Sequence, residues 1–177
     1  FSNASKSIND LIERGLLIST GKVSTGRPGP LTEKFKVNPE AGYMLGISIE
    51  KEYMWPALLD FDFRKMQLDV GPLETVQNMS TFIRNVWSLT DACLEQISQY
   101  ELLGVGFSWP GAVDRQGARI GYSPILPILS EYRYSLGIEQ LIKPSDMVKL
   151  GPAPVVIESD VHAYSIAEKE VGANDGR

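Results

Sequence analysis

The order of hydrophobic patterns along the chain constrains its fold more than any other feature. Three apolar, aromatic-rich segments, AGYMLGISI, MWPALLDFD and KMQLDVGPLE, are typical of consecutive short β-strands. Residues 79–100 then carry apolar side chains every three or four positions, which predicts an amphipathic helix. Two buried-strand patterns follow, LLGVGF and PVVIES, and the second leads into a helical segment, VHAYSIAEKEVG. Meandering strands followed by helix, strand and helix predict an α/β fold with a mixed sheet.

The apolar stripe of the predicted helix identifies part of the core. Its members are Phe82, Val86, Leu89, Cys93 and Ile97. Because Cys93 lies on this stripe with no histidine close in sequence, we interpret it as a core residue and not as a nucleophile. Pro56 interrupts the second strand pattern, so that strand is predicted to lie at an edge or to begin late.

Composition excludes several classes of protein. The 177 residues, of which 43% are hydrophobic, suit one or two small domains. No apolar run reaches the length of a membrane span, and the first residues lack the pattern of a signal peptide. One cysteine and one histidine cannot build an internal disulfide or a closed zinc site. We therefore expect a cytoplasmic protein.

Charge divides the chain into a basic head and an acidic body. Residues 1–36 hold six basic and three acidic side chains, a net charge of +3. The remaining residues hold 11 basic and 19 acidic side chains, a net charge of −8. A basic head attracts phosphate, so it is predicted to bind nucleic acid. We place the domain boundary after residue 40, with a DNA-binding unit over 1–40 and a second domain over 41–177.

The head begins with a predicted helix over residues 2–14. Ser2 is placed to cap its start, and Gly15 lies where the chain must leave it. One apolar stripe is formed by Ala4, Ile8, Leu11 and Ile12. The opposite face carries short or flexible polar groups, including Asn3 and Lys6, that can reach base edges or phosphates. A solvated helix face is the alternative.

A long loop between two strand patterns completes the head. LLIST and LTEKFKVN flank the loop GKVSTGRPGP, and a helix followed by a hairpin with a basic tip is typical of a winged helix. Gly26 and Pro28 give the tip a thin backbone that a narrow minor groove can admit, where Arg27 meets strong negative potential. Lys22 is placed to contact phosphate. A plain turn rich in glycine and proline is the alternative.

Two segments of the body follow buried strands, where the ligands of α/β sheets bind. They are WPGAVD and the triplet Glu158-Ser159-Asp160. Asp160 can accept a proton from a hydroxyl group, or it can cap the helix that follows, and the sequence leaves both open. His162 is predicted to be a packed or surface residue and not a ligand.

The chain resembles the ROK family of repressors and sugar kinases over nearly its whole length. INDLIERGLL, STGRPG, VNPEAGYMLGISI, LLGVGFSWPGAVD and PVVIESDVHAYSIAEKEVG occur in the family's order. The similarity is strongest to its transcriptional regulators, such as the N-acetylglucosamine and xylose repressors. The resemblance implies a partial winged helix-turn-helix followed by the N-terminal lobe of an actin-like (ribonuclease H-like) sugar-kinase-type domain.

The resemblance also implies partners and site residues. It implies a sugar or sugar-phosphate effector between two lobes, held here by Ser123, Glu158, Ser159 and Asp160. It implies a dimer or tetramer on DNA, with the first helix in the major groove through Asn3, Ser5 and Lys6. Ligand closure of the lobes would change the spacing of the DNA-binding heads.

Departures from the family pattern argue against catalysis. Kinase members carry Asp-x-Gly-Gly-Thr after the first strand, where glycine backbone and threonine meet ATP phosphates. This chain carries Ser48 and Glu50-Lys51-Glu52 there, and two carboxylates repel a polyphosphate. The family's Pro-Asn-Leu-Pro becomes Pro-Ile-Leu-Pro over residues 124–127. We expect no kinase activity; the alternatives are a sugar kinase with Asp160 as general base and a DNA-binding protein whose lobe serves only oligomerisation.

The resemblance further implies that the sequence is a fragment. The family's first two helices would precede Ser2, and its second lobe, with a Cys-x-Cys-Gly zinc motif, would follow Arg177. We therefore expect no cofactor in this chain, with zinc reserved for that second lobe.

Overall fold

The computed structural model describes residues 3–24, 26, 31–75, 78–97, 101–116, 119–126 and 136–172. The helices are α1 (Asn3–Glu13), α2 (Met79–Gln96), α3 (Ile138–Leu141), α4 (Pro144–Leu150) and α5 (Asp160–Val171). The strands are β1 (Leu17–Val23), β2 (Thr32–Val37), β3 (Tyr43–Ile49), β4 (Tyr53–Asp60), β5 (Lys65–Met66), β6 (Leu73–Glu74), β7 (Leu102–Trp109), β8 (Val113–Asp114), β9 (Arg119–Ile120) and β10 (Val155–Ser159).

One mixed sheet organises the body of the chain. Its strand order is β10-β7-β3-β4-β5, and β6 also pairs with β4. β3, β7 and β10 run parallel, whereas β4 is antiparallel to β3 along its whole length. The predicted α/β architecture with a mixed sheet is confirmed.

The core lies on one face of this sheet. Alternate side chains of β3 are buried, and α2 contributes the predicted stripe, whose five members are all buried. Phe82 of α2 meets Trp109 at the end of β7 edge to face, with ring centroids 6.3 Å apart. Cys93 is fully buried, and burial raises the pKa of its thiol to about 11. The interpretation of Cys93 as a core residue is confirmed.

Pro56 occupies an interrupted edge. On one side it pairs with Ile47 of β3. On the other side β4 pairs with β6 only at residues 53–54 and with β5 only at residues 58–59. Proline has no amide hydrogen for a ladder, so it fits the gap between these two short pairings. The prediction that this strand lies at an edge or begins late is wrong, because β5 and β6 pair outside β4 and the strand continues through Pro56; only the outer side of Pro56 itself is unpaired by these strands.

Several predicted boundaries are wrong. KMQLDVGPLE forms two separate two-residue strands, β5 and β6, and residues 67–72 between them are not in a strand. The helix predicted over 79–100 ends at Gln96, and residues 98–100 lie outside the described part of the chain. The sequence did not predict α3, α4 or the short hairpin of β8 and β9, because each is too short for its periodicity to stand out.

The head contains α1 followed by an antiparallel hairpin of β1 and β2. Gly15 ends α1 as predicted: its φ is 71°, and the N–H groups of Gly15 and Leu16 donate to the carbonyls of Ile12 and Leu11, each at 2.9 Å. The predicted apolar stripe is wrong in part, because α1 has no buried residue and, of the four stripe residues, only Ile8 and Leu11 are half-buried. The predicted cap at Ser2 lies outside the described residues.

The boundary predicted after residue 40 falls within a single 3-10 turn, Pro39–Ala41. Asn38 precedes this turn and ties it to the head, since its side-chain amide donates to the carbonyl of Gly15 at 2.8 Å. The division into two domains stays a prediction. Among the described residues, no helix combines the length and hydrophobicity needed to cross a bilayer.

Candidate functional site

Three parallel strands end together at one edge of the main sheet. Ser108 of β7 pairs with Ser48 of β3 on one side and with Glu158 of β10 on the other. The segments that leave this edge are the turn at residues 50–52, the loop after Trp109 and the start of α5. In open α/β sheets, ligands bind outside the carboxyl ends of such strands, so this edge is the candidate ligand site.

A cleft of about 570 Å³ opens between the loop after β7 and the start of α5. Its walls are formed by Pro110, Gly111, Ala112, Val113, Arg115, Pro124, Ile125, Glu158, Ser159, Asp160 and Val161. Most of these side chains are apolar, and the charged groups come from one arginine and two carboxylates. Apolar walls with a few convergent polar groups are typical of a site for a small molecule.

Glu158 is the centre of the polar contacts in this cleft. Its carboxylate lies 2.8 Å from Arg115 Nε and 2.9 Å from His162 Nδ1, and it accepts the N–H of Ser159 at 2.8 Å. Partial burial raises the pKa of Glu158, but the hydrogen bond from the Ser159 N–H, the adjacent His162 side chain and the hydrogen bond and charge of Arg115 outweigh it and hold that pKa below its ordinary value. Glu158 is therefore ionised at neutral pH.

Two residues of this cluster were not predicted to belong to a site. Arg115 was not singled out, and His162 was expected to be a packed or surface residue without a site role. His162 is half-exposed and contacts Glu158, four residues earlier. That spacing joins side chains on one helix face and was the available signal, although Glu158 itself still lies in β10. Arg115 carried no comparable signal, because only the folded loop brings it to β10.

Ser159 and Asp160 have different positions at the start of α5. Ser159 is the N-cap, and its Oγ accepts the N–H of His162 at 3.4 Å. Asp160 is the first helical residue, so its predicted alternative role as the cap is wrong. Its Oδ1 accepts the adjacent N–H of Val161 at 2.8 Å, whereas its other oxygen has no partner among the described residues. That oxygen is available to a hydroxyl group of a ligand.

Ser123 lies beneath the cleft and does not line it. It is fully buried; its Oγ donates to the carbonyl of Pro110 at 2.6 Å and accepts the N–H of Leu126 at 3.1 Å. Gly111 packs closely against the same segment. A Cβ at position 111 would lie 2.8 Å from Ser123 Cα and closer still to the carbonyl oxygen of Tyr122. Ser123 therefore shapes the cleft wall, and direct ligand contact by Ser123 stays a prediction.

The turn between β3 and β4 carries Glu50, Lys51 and Glu52, all exposed. The N–H of Glu50 donates to the carbonyl of Tyr53 at 3.0 Å, which closes the hairpin. The carbonyl of Glu52 accepts the N–H of Thr75 at 2.8 Å. The turn therefore presents two carboxylates, and the N–H of Glu50 donates within the hairpin and not to a ligand.

Within the described ranges, no cluster of three or more histidine, cysteine, aspartate or glutamate side chains has the arrangement of a metal site.

The hairpin of the head presents a basic surface. Lys22, Lys34 and Lys36 are exposed and form no ion pair with any residue that the structure describes. Glu33 is the one acidic residue of the hairpin strands, and its carboxylate accepts a hydrogen bond from Ser19 Oγ at 2.8 Å. We call the face of the hairpin that carries Lys34 and Lys36 the basic hairpin face. Lys22 pairs with Glu33 in the strand register and lies on the opposite face.

The structure describes only some of the other residues that are predicted to contact DNA. Asn3 and Lys6 are exposed on α1, and Ser5 is half-buried. Gly26 has a φ of 74°, and its N–H donates to Ser24 Oγ at 3.3 Å. The predictions for Arg27 and Pro28 lie outside the described residues.

Solved structures with similar folds come from both branches of one family. A ROK family transcriptional regulator, a homolog of the E. coli Mlc protein, matches with a TM-score of 0.61 and 15% identity, covering 94% of this chain and 40% of its own. A ROK family glucokinase from Streptomyces griseus, solved with glucose and AMPPNP, matches with a TM-score of 0.60 and 19% identity, covering 76% of this chain and 38% of its own. The chain thus spans about two-fifths of the length of either structure. The sequence matches no family model and no curated protein.

Proposed function

We propose that this chain, which has the fold of the ROK proteins, belongs to a sugar-responsive transcriptional regulator that binds DNA through its head. In this proposal α1 and the β1–β2 hairpin are the recognition helix and wing of a winged helix. The cleft beside Asp160 holds a sugar or sugar-phosphate effector, and the protein acts as a dimer or tetramer. The basic hairpin face contributes phosphate contacts to the DNA.

The observation that carries the proposal is the head itself. The regulator covers 94% of this chain and the glucokinase covers 76%. The difference, 18% of 177 residues, is about 32 residues, close to the length of the segment from α1 to β2. The basic hairpin face adds the charge that phosphate contacts need. Both features favour a regulator over a kinase.

The turn at residues 50–52 supports a sensing lobe without catalysis. A polyphosphate needs free N–H groups or cations at the end of the first parallel strand. Here Glu50 and Glu52 place two carboxylates beside one lysine, and the N–H of Glu50 is occupied by Tyr53. ATP bound at this turn would meet like charge.

A sugar kinase is the second candidate, and one observation favours it. Asp160 has a carboxylate oxygen without a partner among the described residues, at the strand end where a general base would face a hydroxyl group. In that candidate Asp160 abstracts the proton of the sugar hydroxyl that attacks ATP.

One preparation of the full-length protein distinguishes the two candidates. Binding to labelled promoter DNA is measured beside ATP consumption over a panel of monosaccharides. The proposal expects salt-dependent DNA binding and no sugar-dependent ATP consumption. Turnover that disappears in Asp160→Asn would establish the kinase instead.

A further inference from the structure

We infer that the Arg115–Glu158 ion pair sets the charge selectivity of the cleft, so that it accepts uncharged, hydroxyl-rich ligands and excludes phosphorylated ones. The inference rests on the proposed function, because it narrows the effector class of the same cleft. It assigns Arg115 and Glu158 as specificity-determining residues.

The first step concerns the balance of charge. Among the described residues that line the cleft, Arg115 is the one cation, and Glu158 and Asp160 are two carboxylates. Arg115 Nε lies 2.8 Å from one oxygen of Glu158 and 3.1 Å from the other, so its charge is compensated within the protein. What remains is the negative charge of Asp160, which repels a phosphate group.

The second step concerns the start of α5. The first N–H groups of a helix are a common site for phosphate. In α5 the N–H of Val161 donates to Asp160 and the N–H of His162 donates to Ser159 Oγ. The protein's own oxygen atoms therefore occupy donors that an anionic ligand would need.

The third step concerns what the cleft does offer. One carboxylate oxygen of Asp160 has no partner among the described residues and can accept a hydrogen bond from a hydroxyl group. Other lining residues, including Pro110, Val113 and Ile125, are apolar. A neutral sugar combines hydroxyl groups with apolar ring faces and matches both features. A phosphate group matches neither.

Isothermal titration calorimetry on the full-length protein tests the inference with glucose, glucose 6-phosphate and inorganic phosphate as probes. Glu158→Gln keeps the shape of the side chain but frees the charge of Arg115, so phosphate should bind about tenfold more tightly or better than in the wild type. The double variant Glu158→Gln, Arg115→Gln should lose that gain. Glu168→Gln removes the same charge from an exposed position of α5 and should behave as the wild type.

The outcomes are separable. A wild type that binds glucose 6-phosphate more tightly than glucose, with the preference lost in Arg115→Gln, overturns the inference and needs no other variant to fold. Glu158→Gln that retains its melting temperature and gains no phosphate binding overturns it as well. A wild type that binds neither sugar contradicts the effector part of the proposed function, whereas the phosphate gain in Glu158→Gln still decides the role of the ion pair.

Discussion

Arg115 and Glu158 are 43 positions apart in the sequence, yet Arg115 Nε lies 2.8 Å from a carboxylate oxygen of Glu158. The contact ties the loop after β7 to the end of β10. It therefore joins the two segments that form the cleft.

The contribution of Glu158 to stability should depend on pH. The pKa of Glu158 lies below its ordinary value of 4.5 in the folded protein, so its ionised form stabilises the fold above that pH, and this stabilisation is lost as the pH falls through the lowered pKa. Urea unfolding at pH 7 and pH 3 should show that Glu158→Gln costs more free energy at pH 7. Glu168→Gln is the control, and an equal cost of Glu158→Gln at both pH values would contradict the account.

Gly111→Ala should destabilise the protein by about 1–3 kcal/mol, the usual cost of overpacking. The added Cβ would lie 2.8 Å from Ser123 Cα and closer still to the carbonyl of Tyr122, and both are backbone atoms that cannot turn away. Gly71→Ala is the matched control, because a Cβ there meets nothing within 4 Å. Chemical denaturation measures both variants, and equal midpoints would show that the loop moves freely.

Cys93 should react with thiol reagents only when the protein unfolds. It is fully buried and its pKa is raised to about 11, so little thiolate exists at pH 8. It is the one cysteine of the chain, so any labelling of this chain by a thiol reagent reports on Cys93. The labelling rate at pH 8 should rise with urea in parallel with unfolding. Rapid labelling in native buffer would contradict the buried position.

Asp160→Asn should weaken the binding of a neutral sugar by about tenfold or more, because it replaces a charged acceptor by a neutral one. The side-chain oxygen can still accept the N–H of Val161, so the start of α5 should stay intact. Calorimetry with glucose measures the loss, and Asp62→Asn, on the turn after β4, is the control. An unchanged affinity of Asp160→Asn for glucose would show that Asp160 does not contact the sugar.

Periodicity predicted the elements that depend on repeated burial. The stripe from Phe82 to Ile97 and the succession of strands and helices along the chain followed from hydrophobic spacing. The end of α1 followed from the glycine at position 15. The same reasoning failed for the segment between β4 and α2, where two strands of two residues each pair with different parts of β4. A strand of two residues is too short to show the alternation of apolar and polar residues by which strands are predicted.

The candidate site was predictable only where it follows a strand. Glu158, Ser159 and Asp160 close a buried strand pattern, so their position at the sheet edge followed from the sequence. The partnership of Glu158 with Arg115 did not, because it depends on how the loop after β7 folds back over the sheet. The position of Ser123 could not be predicted either, because its hydroxyl group bonds the carbonyl of Pro110 beneath the cleft and does not face a ligand.

DNA binding by the head is the central claim, and the most direct measurement is a fluorescence-anisotropy titration of the full-length protein against AT-rich promoter DNA at two salt concentrations. The account predicts that wild type binds, and that Arg27→Ala and Lys22→Ala each lose about 1 kcal/mol or more with a shallower salt slope. Lys65→Ala, an exposed lysine of β5, should bind as the wild type does. Equal binding by all four proteins, or none by the wild type, would contradict the claim.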